Sequence, residues 1–270
     1  MQNKARSKTK AEKTLVYKPY LKGNWHSGLA AKRGLKLLTY QLVFAFVYLF
    51  IGQALLFDAL VLRVLINLMV VLGFAALLYS DGAKTGLDDV AFAEIALQRQ
   101  EAGKAIDQAD KDRCFHPLKG FFTAFVGTLP LVLLALAFAF MTSLQVHQLG
   151  ALPGWVQAYE RRADVGLALQ YYHVSAPFSL VDALRIIVRL SIFPYINMAG
   201  AGSNHTLLLM ERLSPLLVLI IPMGYGLGYQ QGRRLRAGVH GAISTDSKRR
   251  VQKERRERKR RQRQEPTKLV

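Results

Sequence analysis

Five side chains of metal-ligating type, Asp107, Asp110, Asp112, Cys114 and His116, crowd into ten positions immediately before Pro117. A bound metal needs spaced ligands that converge from more than one segment, and the chain has no CxxC pair, HExxH helix or EF-hand loop. Cys114 is the single cysteine, so a multi-cysteine site and an intramolecular disulfide are excluded by count. The acids read as turn and helix-start chemistry, and no metal or cofactor is expected.

Two further groupings invite a chemical reading and do not sustain it. Gly202-Ser203 with His205 lacks the GxSxG elbow, and no acid completes a triad in sequence order. Gly224-Tyr225-Gly226 shares its letters with a potassium filter, in which backbone carbonyls replace ion hydration, yet Pro222-Met223 stands where Thr-Val belongs. The sequence therefore names no reaction, and an enzyme is not expected.

Charge is the stronger signal. Between Lys248 and Arg263 eleven of sixteen residues are basic: Lys248, Arg249, Arg250, Lys253, Arg255, Arg256, Arg258, Lys259, Arg260, Arg261 and Arg263. Val251 is the only aliphatic residue among them, so this segment cannot bind by inserting an apolar face, and attraction to an anion is its main resource. Each Lys or Arg near an acidic leaflet contributes on the order of 1 kcal/mol, and phosphate neutralisation on nucleic acid follows the same salt-sensitive physics. Anionic lipid headgroups are the first expected partner, and ribosomal or other RNA the second. A smaller set, Asp182, Arg185, Arg189, Glu211 and Arg212, has matched signs on either side of an apolar stretch. Paired, those charges would tie a short helix to the last long apolar run.

The elements that position these groups follow from where charge is missing. Leu37 to Phe57 is 21 residues without a charge, Gly120 to Tyr159 is 40, and Leu213 to Gly232 is 20. About 20 apolar residues cross about 30 Å of hydrocarbon. The chain is thus expected to be an all-α polytopic membrane protein with four transmembrane helices, at about 37–57, 61–80, 121–141 and 213–230. Residues 1–36 hold ten Lys/Arg against one acid, and 230–270 hold fifteen against four. Basic flanks stay inside, so both ends are expected on the cytoplasmic side of a bacterial cytoplasmic membrane. Three units result: a basic amino-terminal segment 1–36, a membrane domain 37–232 and a basic tail 233–270. Eight of the first ten basic residues are Lys, against the Arg bias of a mitochondrial presequence, and no cleavage site follows the first run.

Within that frame, Met1–Lys13 is expected to be disordered, and Val16–Trp25, where aromatics alternate with Lys, to lie at headgroup level. A tight hairpin is expected near Asp58, with Arg63 at the outer interface and Asn67 turned inward, because an amide facing lipid would lack a partner. Residues 81–119 form a cytoplasmic loop, in which Thr85 and Asp88 suggest a capping box and Gly103 a stop. The helix between them, 85–102, has an apolar face of Leu87, Val90, Ala91, Ile95 and Leu97 that could lie on the bilayer surface, on the chain's own spans or on a protein partner, with Glu94 on its polar side. Pro130 is expected to kink the third span. On the far side, 142–206, Trp155, Tyr159, Tyr171 and Tyr172 suggest a segment that follows the interface.

Residues 179–200 could be scored as a fifth span. The Ser179/Asp182 capping box and the Pro194 stop leave a helix of about 21 Å, too short to cross, with Asp182, Arg185 and Arg189 on one face. An amphipathic interfacial or re-entrant helix is the reading that keeps both basic ends on one side. In the last span, Gly224 and Gly228 have the spacing that permits close helix contact. Function reduces to two expectations: a non-enzymatic membrane adaptor or assembly factor acting through its tail, or a small transporter or channel subunit lined by Gln41, Gln53 and Asn67.

Overall fold

The computed structural model describes residues 15–144, 158–159, 162–165, 179–199 and 204–264, and every regular element among them is helical. These are α1 (Gly28–Gly52), followed by a 3-10 turn (Gln53–Leu55), α2 (Leu60–Glu101), α3 (Gln108–Arg113) and α4 (Lys119–Met141), then α5 (Leu180–Ser191), α6 (Phe193–Ala199) and α7 (Asn204–Gln264). Four of them, α1, α2, α4 and α7, are long and apolar enough to cross a membrane. Trp155, Tyr171 and Tyr172, on which the interfacial course of 142–206 rested, lie outside the described residues, as do Met1–Lys13.

Helix ends depart from the sequence reading because charge does not stop a helix. The first span was expected from Leu37, but α1 begins at Gly28, where the Ser27 hydroxyl accepts from the Ala30 amide at 3.2 Å. Lys32, Arg33 and Lys36 therefore ride on it. The predicted break between residues 80 and 85 is absent: α2 is one helix of 42 residues, about 63 Å long. Thr85 does not cap anything; its hydroxyl donates back to the Asp81 carbonyl at 2.9 Å, as a mid-helix threonine does. Gly103, with φ +78°, does end the segment in the left-handed region that favours glycine. The last span and the tail are likewise not separate, since α7 continues for 61 residues from Asn204 to Gln264.

α2 and α7 run in the same direction and pack along a seam of glycines. A Cβ on Gly82 or Gly86 would strike the carbonyls of Tyr225 and Tyr229, and one on Gly228 would strike that of Tyr79. Glycine in a helix interior costs about 1 kcal/mol relative to alanine. That cost is offset where two backbones must approach this closely. Gly224 and Gly228 thus serve a contact within the chain.

At the far end, away from the termini, α5 and α6 pack within the bundle: Val188, Ile192 and Tyr195 join Val71, Leu131, Ala135, Phe138 and Val218 in one buried cluster. The Ser179/Asp182 capping box opens α5, and α5 ends at Ser191, before Pro194. Pro194 does not stop the chain from turning helical again; it sits in the first turn of α6. Asn197 of α6 donates to the Tyr48 hydroxyl at 2.8 Å and to the Gly52 carbonyl at 3.0 Å, and Tyr48 in turn bonds Asn67. Asn67 is fully buried, and Arg63 reaches the Phe57 carbonyl across the hairpin. Outside, Phe46, Phe50, Leu68, Leu72, Phe140 and Leu216 form an apolar coat, the reverse of a water-soluble bundle.

Candidate functional site

The densest chemistry lies at the end that carries the termini, on residues whose roles were not legible from spacing. Asp89 of α2, 2% exposed, is the hub. Arg33 of α1 donates to both of its oxygens, at 2.7 and 2.8 Å, and the Tyr229 hydroxyl donates to Oδ2 at 2.6 Å. Lys119, at the start of α4 and fully buried, donates to the same Oδ2 at 2.9 Å and to the carbonyls of Asp112 and Cys114 at 2.7 and 3.2 Å. One carboxylate thus joins α1, α2, α4 and α7. Two cations face it, so the hub keeps one positive charge in excess.

One turn further along α2, Glu94 accepts from Arg236 Nε at 2.9 Å and contacts His240 Nε2 at 2.8 Å. Glu94 was assigned to the polar side of an amphipathic loop helix. Instead it is buried against α7 with Val90, Ala93 and Ala96, while Ile95, placed on the apolar face, is 47% exposed. Of the expected apolar face only Val90 is buried, while Leu87, Ala91 and Leu97 are half-buried. The error is one of register, because α2 continues from the bundle and its phase is set by the glycine seam.

The amino-terminal segment closes this end. Val16–Trp25 is an extended strap across α2, α3 and α7. Its amides donate to helix and loop carbonyls, Val16 to Ala237 at 3.1 Å, Leu21 to Ala93 at 3.1 Å and Gly23 to Phe115 at 3.0 Å. Arg233 lies over the rings of both Tyr17 and Tyr20, at 5.3 and 5.4 Å. Tyr20 meets Phe115 edge-on, and Phe115 stacks on Tyr229, beside the hub.

The acids before Pro117 take structural roles. Asp112 accepts from Asn24 of the strap at 2.8 Å, and Asp107 precedes α3. Among the described residues no group of three or more His, Cys, Asp and Glu side chains converges as a metal site would. Cys114 is buried beneath the strap, and loss of hydration pushes its thiol up to about 11. Burial, with Lys22 and Lys119 nearby, lowers His116.

At the far end the five charges separate. Glu211 of α7, 2% exposed, is held by Arg189 at 2.6 Å, by the Thr142 hydroxyl at 2.6 Å and more loosely by Arg185 at 3.7 Å. Arg185 also meets Asp182 at 3.0 Å, and its guanidinium lies over Phe138 at 5.6 Å. Arg212 is exposed and has no ion pair among the described residues. The Ser179 hydroxyl and amide hold the Asp182 carboxyl below its usual range.

The amides proposed to line a path do not meet. Gln41 borders a cavity of about 30 Å³, room for one water, Gln53 faces outward and Asn67 is sealed by Tyr48. The tail continues as helix, and Arg249, Arg250, Lys253, Arg255, Arg256 and Arg258 are exposed on it. Lys248, Lys259, Arg260, Arg261 and Arg263 belong to the same helix, their side chains lying outside the described residues. Successive residues on a helix are turned by about 100°, so Arg249, Arg250 and Arg255 already point in three directions. Comparison of the chain with protein-family models, curated proteins and solved structures finds no match.

Proposed function

We propose that this chain is a four-span protein of a bacterial cytoplasmic membrane, both ends cytoplasmic, acting as a non-enzymatic adaptor that holds a polyanion-binding helical arm clear of the bilayer. Membrane residence is supported by four long apolar helices and the apolar coat around them. The sidedness rests on the two basic ends. A single observation carries the function: α7 is one uninterrupted helix from its apolar run into the basic tail.

That continuity changes the expected partner. If Leu213–Gly232 lies in hydrocarbon, then at 1.5 Å per residue Lys248 stands about 24 Å beyond Gly232 along the helix axis and Arg263 about 46 Å. Screening reduces an interaction with the leaflet over about 8 Å at physiological ionic strength. α2 braces the first part of this stretch through Glu94, Arg236 and His240, and by that register α2 ends level with residues 243 to 247, just before the basic cluster begins. Headgroups of the same membrane are out of reach of an arm that continues upright as helix from that brace. RNA presented at the membrane surface, ribosomal RNA included, is the polyanion that fits. Arg233, Arg234 and Arg236 remain at the height where a leaflet would be met.

The test uses the full protein in nanodiscs of zwitterionic lipid, with a single-stranded RNA probe. Binding should weaken with salt at a slope of about −0.7 per phosphate neutralised. Truncation after Ser247, which keeps the Glu94 contacts, should abolish binding and leave membrane insertion unchanged. Unchanged RNA binding by the truncated chain would remove the arm from the function. The alternative of a transporter or channel subunit gains nothing from the amides, which do not converge.

A further inference from the structure

α1 packs against α4, and it meets α2 through the Arg33–Asp89 and Lys36–Asp81 pairs, the buried Leu37 and Leu78, the Phe44–Phe74 stack at 4.4 Å and the Tyr48–Asn67 bond. That seam widens into a cleft at one end only. Toward the termini it opens into a polar cavity of about 250 Å³, far beyond the roughly 30 Å³ share of one water. Below that cavity it is floored and closed by half-buried rings, Tyr40, Phe44 and Phe74, with Tyr40 stacked on Phe44 at 6.3 Å and the Lys36 ammonium over Tyr40 at 5.1 Å.

The cavity wall carries both signs of charge. Its cations are Arg33, Lys36 and Arg113, and its carboxylates are Asp81, Asp88 and Asp89. The hub consumes Arg33 and Asp89. What remains for a ligand is Lys36, loosely held by Asp81 at 3.4 Å and half exposed, together with Asp88 and Arg113, both exposed and without an ion partner among the described residues, Arg113 lying over the Phe92 ring at 4.5 Å. An anion alone would meet two carboxylates, and a cation alone two basic groups. A ligand with a phosphate and a primary ammonium a few bonds apart satisfies both. Lys36 marks the level at which the uncharged run of α1 begins, so the polar cavity and the aromatic floor are arranged as headgroup and acyl chain are.

We propose that the α1–α2 cleft is a phospholipid site, with a phosphoethanolamine headgroup in the polar cavity and an acyl chain along Tyr40, Phe44 and Phe74. The phosphate is met by Lys36 and Arg113, and the ammonium by Asp81 and Asp88. This rests on the membrane placement proposed above, and it assigns lipid recognition to the cleft and not to the tail.

The experiment is competitive lipid binding to the full protein in detergent, read by native mass spectrometry. Phosphatidylethanolamine, phosphatidylglycerol and phosphatidylcholine are supplied equally, and free O-phosphoethanolamine separately. Phosphatidylethanolamine should be retained about tenfold or more over phosphatidylglycerol, which has no ammonium, and over phosphatidylcholine, whose ammonium has no proton to donate. Asp88→Asn and Arg113→Gln should each lower that preference, Asp88→Asn without moving the melting temperature, since of the two only Arg113 also lies over a ring, that of Phe92. Equal retention of the three lipids, or a preference unchanged in the double variant, overturns the site while leaving membrane residence standing. Free O-phosphoethanolamine binding as tightly as the lipid overturns the acyl-chain assignment.

Discussion

Lys119 and Asp89 meet at 2.9 Å with both side chains removed from water, 0% and 2% exposed. An ion pair so placed gains little over an apolar pair of the same shape, because desolvation offsets most of the attraction, but losing one member strands the other. Arg33 and Tyr229 complete the shell of Asp89, and the Asp112 and Cys114 carbonyls that of Lys119. The pair thereby fixes the start of α4 against α2 and α7.

Asp89→Asn should accordingly destabilise the protein by about 3–5 kcal/mol, since an uncompensated ammonium is left buried. Adding Lys119→Met should restore part of that loss. Thermal unfolding in detergent of the two single variants and the double variant measures it, and strict additivity would mean that the two side chains do not interact.

At the far end the geometry ranks the arginines. Glu211 is bound by Arg189 at 2.6 Å and by Arg185 at 3.7 Å. A double-mutant cycle of Glu211→Gln with Arg189→Gln should give a coupling of about 1–3 kcal/mol, larger than the cycle with Arg185→Gln. Arg212→Ala should stay within about 0.5 kcal/mol of wild type, as exposed substitutions do. A coupling through Arg185 that exceeds that through Arg189 would contradict the observed contacts.

Four long apolar helices were legible because absence of charge over 20 or more residues is a one-dimensional signal. The Ser179/Asp182 cap and the inward Asn67 were legible for a similar reason: each depends on neighbours in sequence or on the lack of any polar partner in lipid. The Asp89 hub was not, since Arg33, Lys119 and Tyr229 come from three other helices and their spacing encodes no register. Helix ends were missed where charged but strongly helix-forming residues follow an apolar run, as Lys, Arg, Gln and Glu do beyond Gly241. Gly224 and Gly228 were legible as a close-contact pair, but the α2 glycines of the same seam were not. Gly82/Gly86 and Gly224/Gly228/Gly232 repeat at four-residue intervals on two helices, which marks a seam and would have set the phase of α2 past Asp81.

That seam makes a sharp comparison possible. Gly228→Ala places a methyl against the Tyr79 carbonyl and should cost about 1–3 kcal/mol, as overpacking does. Gly73→Ala lies on the same α2 with open space around it, and should be neutral or stabilising by up to about 1 kcal/mol through helix propensity. Melting temperatures of both variants in one detergent decide the matter. Equal losses would mean that glycine was chosen for something other than close approach.

Cys114 reports on the strap. It is 0% exposed beneath Gly23, and a Cβ on Gly23 would collide with the Cys114 carbonyl. With the thiol raised to about 11 by loss of hydration, about one in a thousand is ionised at pH 8, against about a quarter of ordinary thiols. Alkylation of the folded protein at pH 8 should therefore be slow, and Gly23→Val, which lifts the strap, should speed it at least tenfold while the helical signal is retained. The same shift predicts a stability term. A thiol whose value is higher when folded stabilises the fold fully below its unfolded value of about 8.5, and that contribution is lost as pH rises toward about 11. Denaturation midpoints of the wild type should fall across that window more steeply than those of Cys114→Ala. Parallel slopes for the two proteins, with rapid labelling of the wild type at pH 8, would place Cys114 in water and the strap elsewhere.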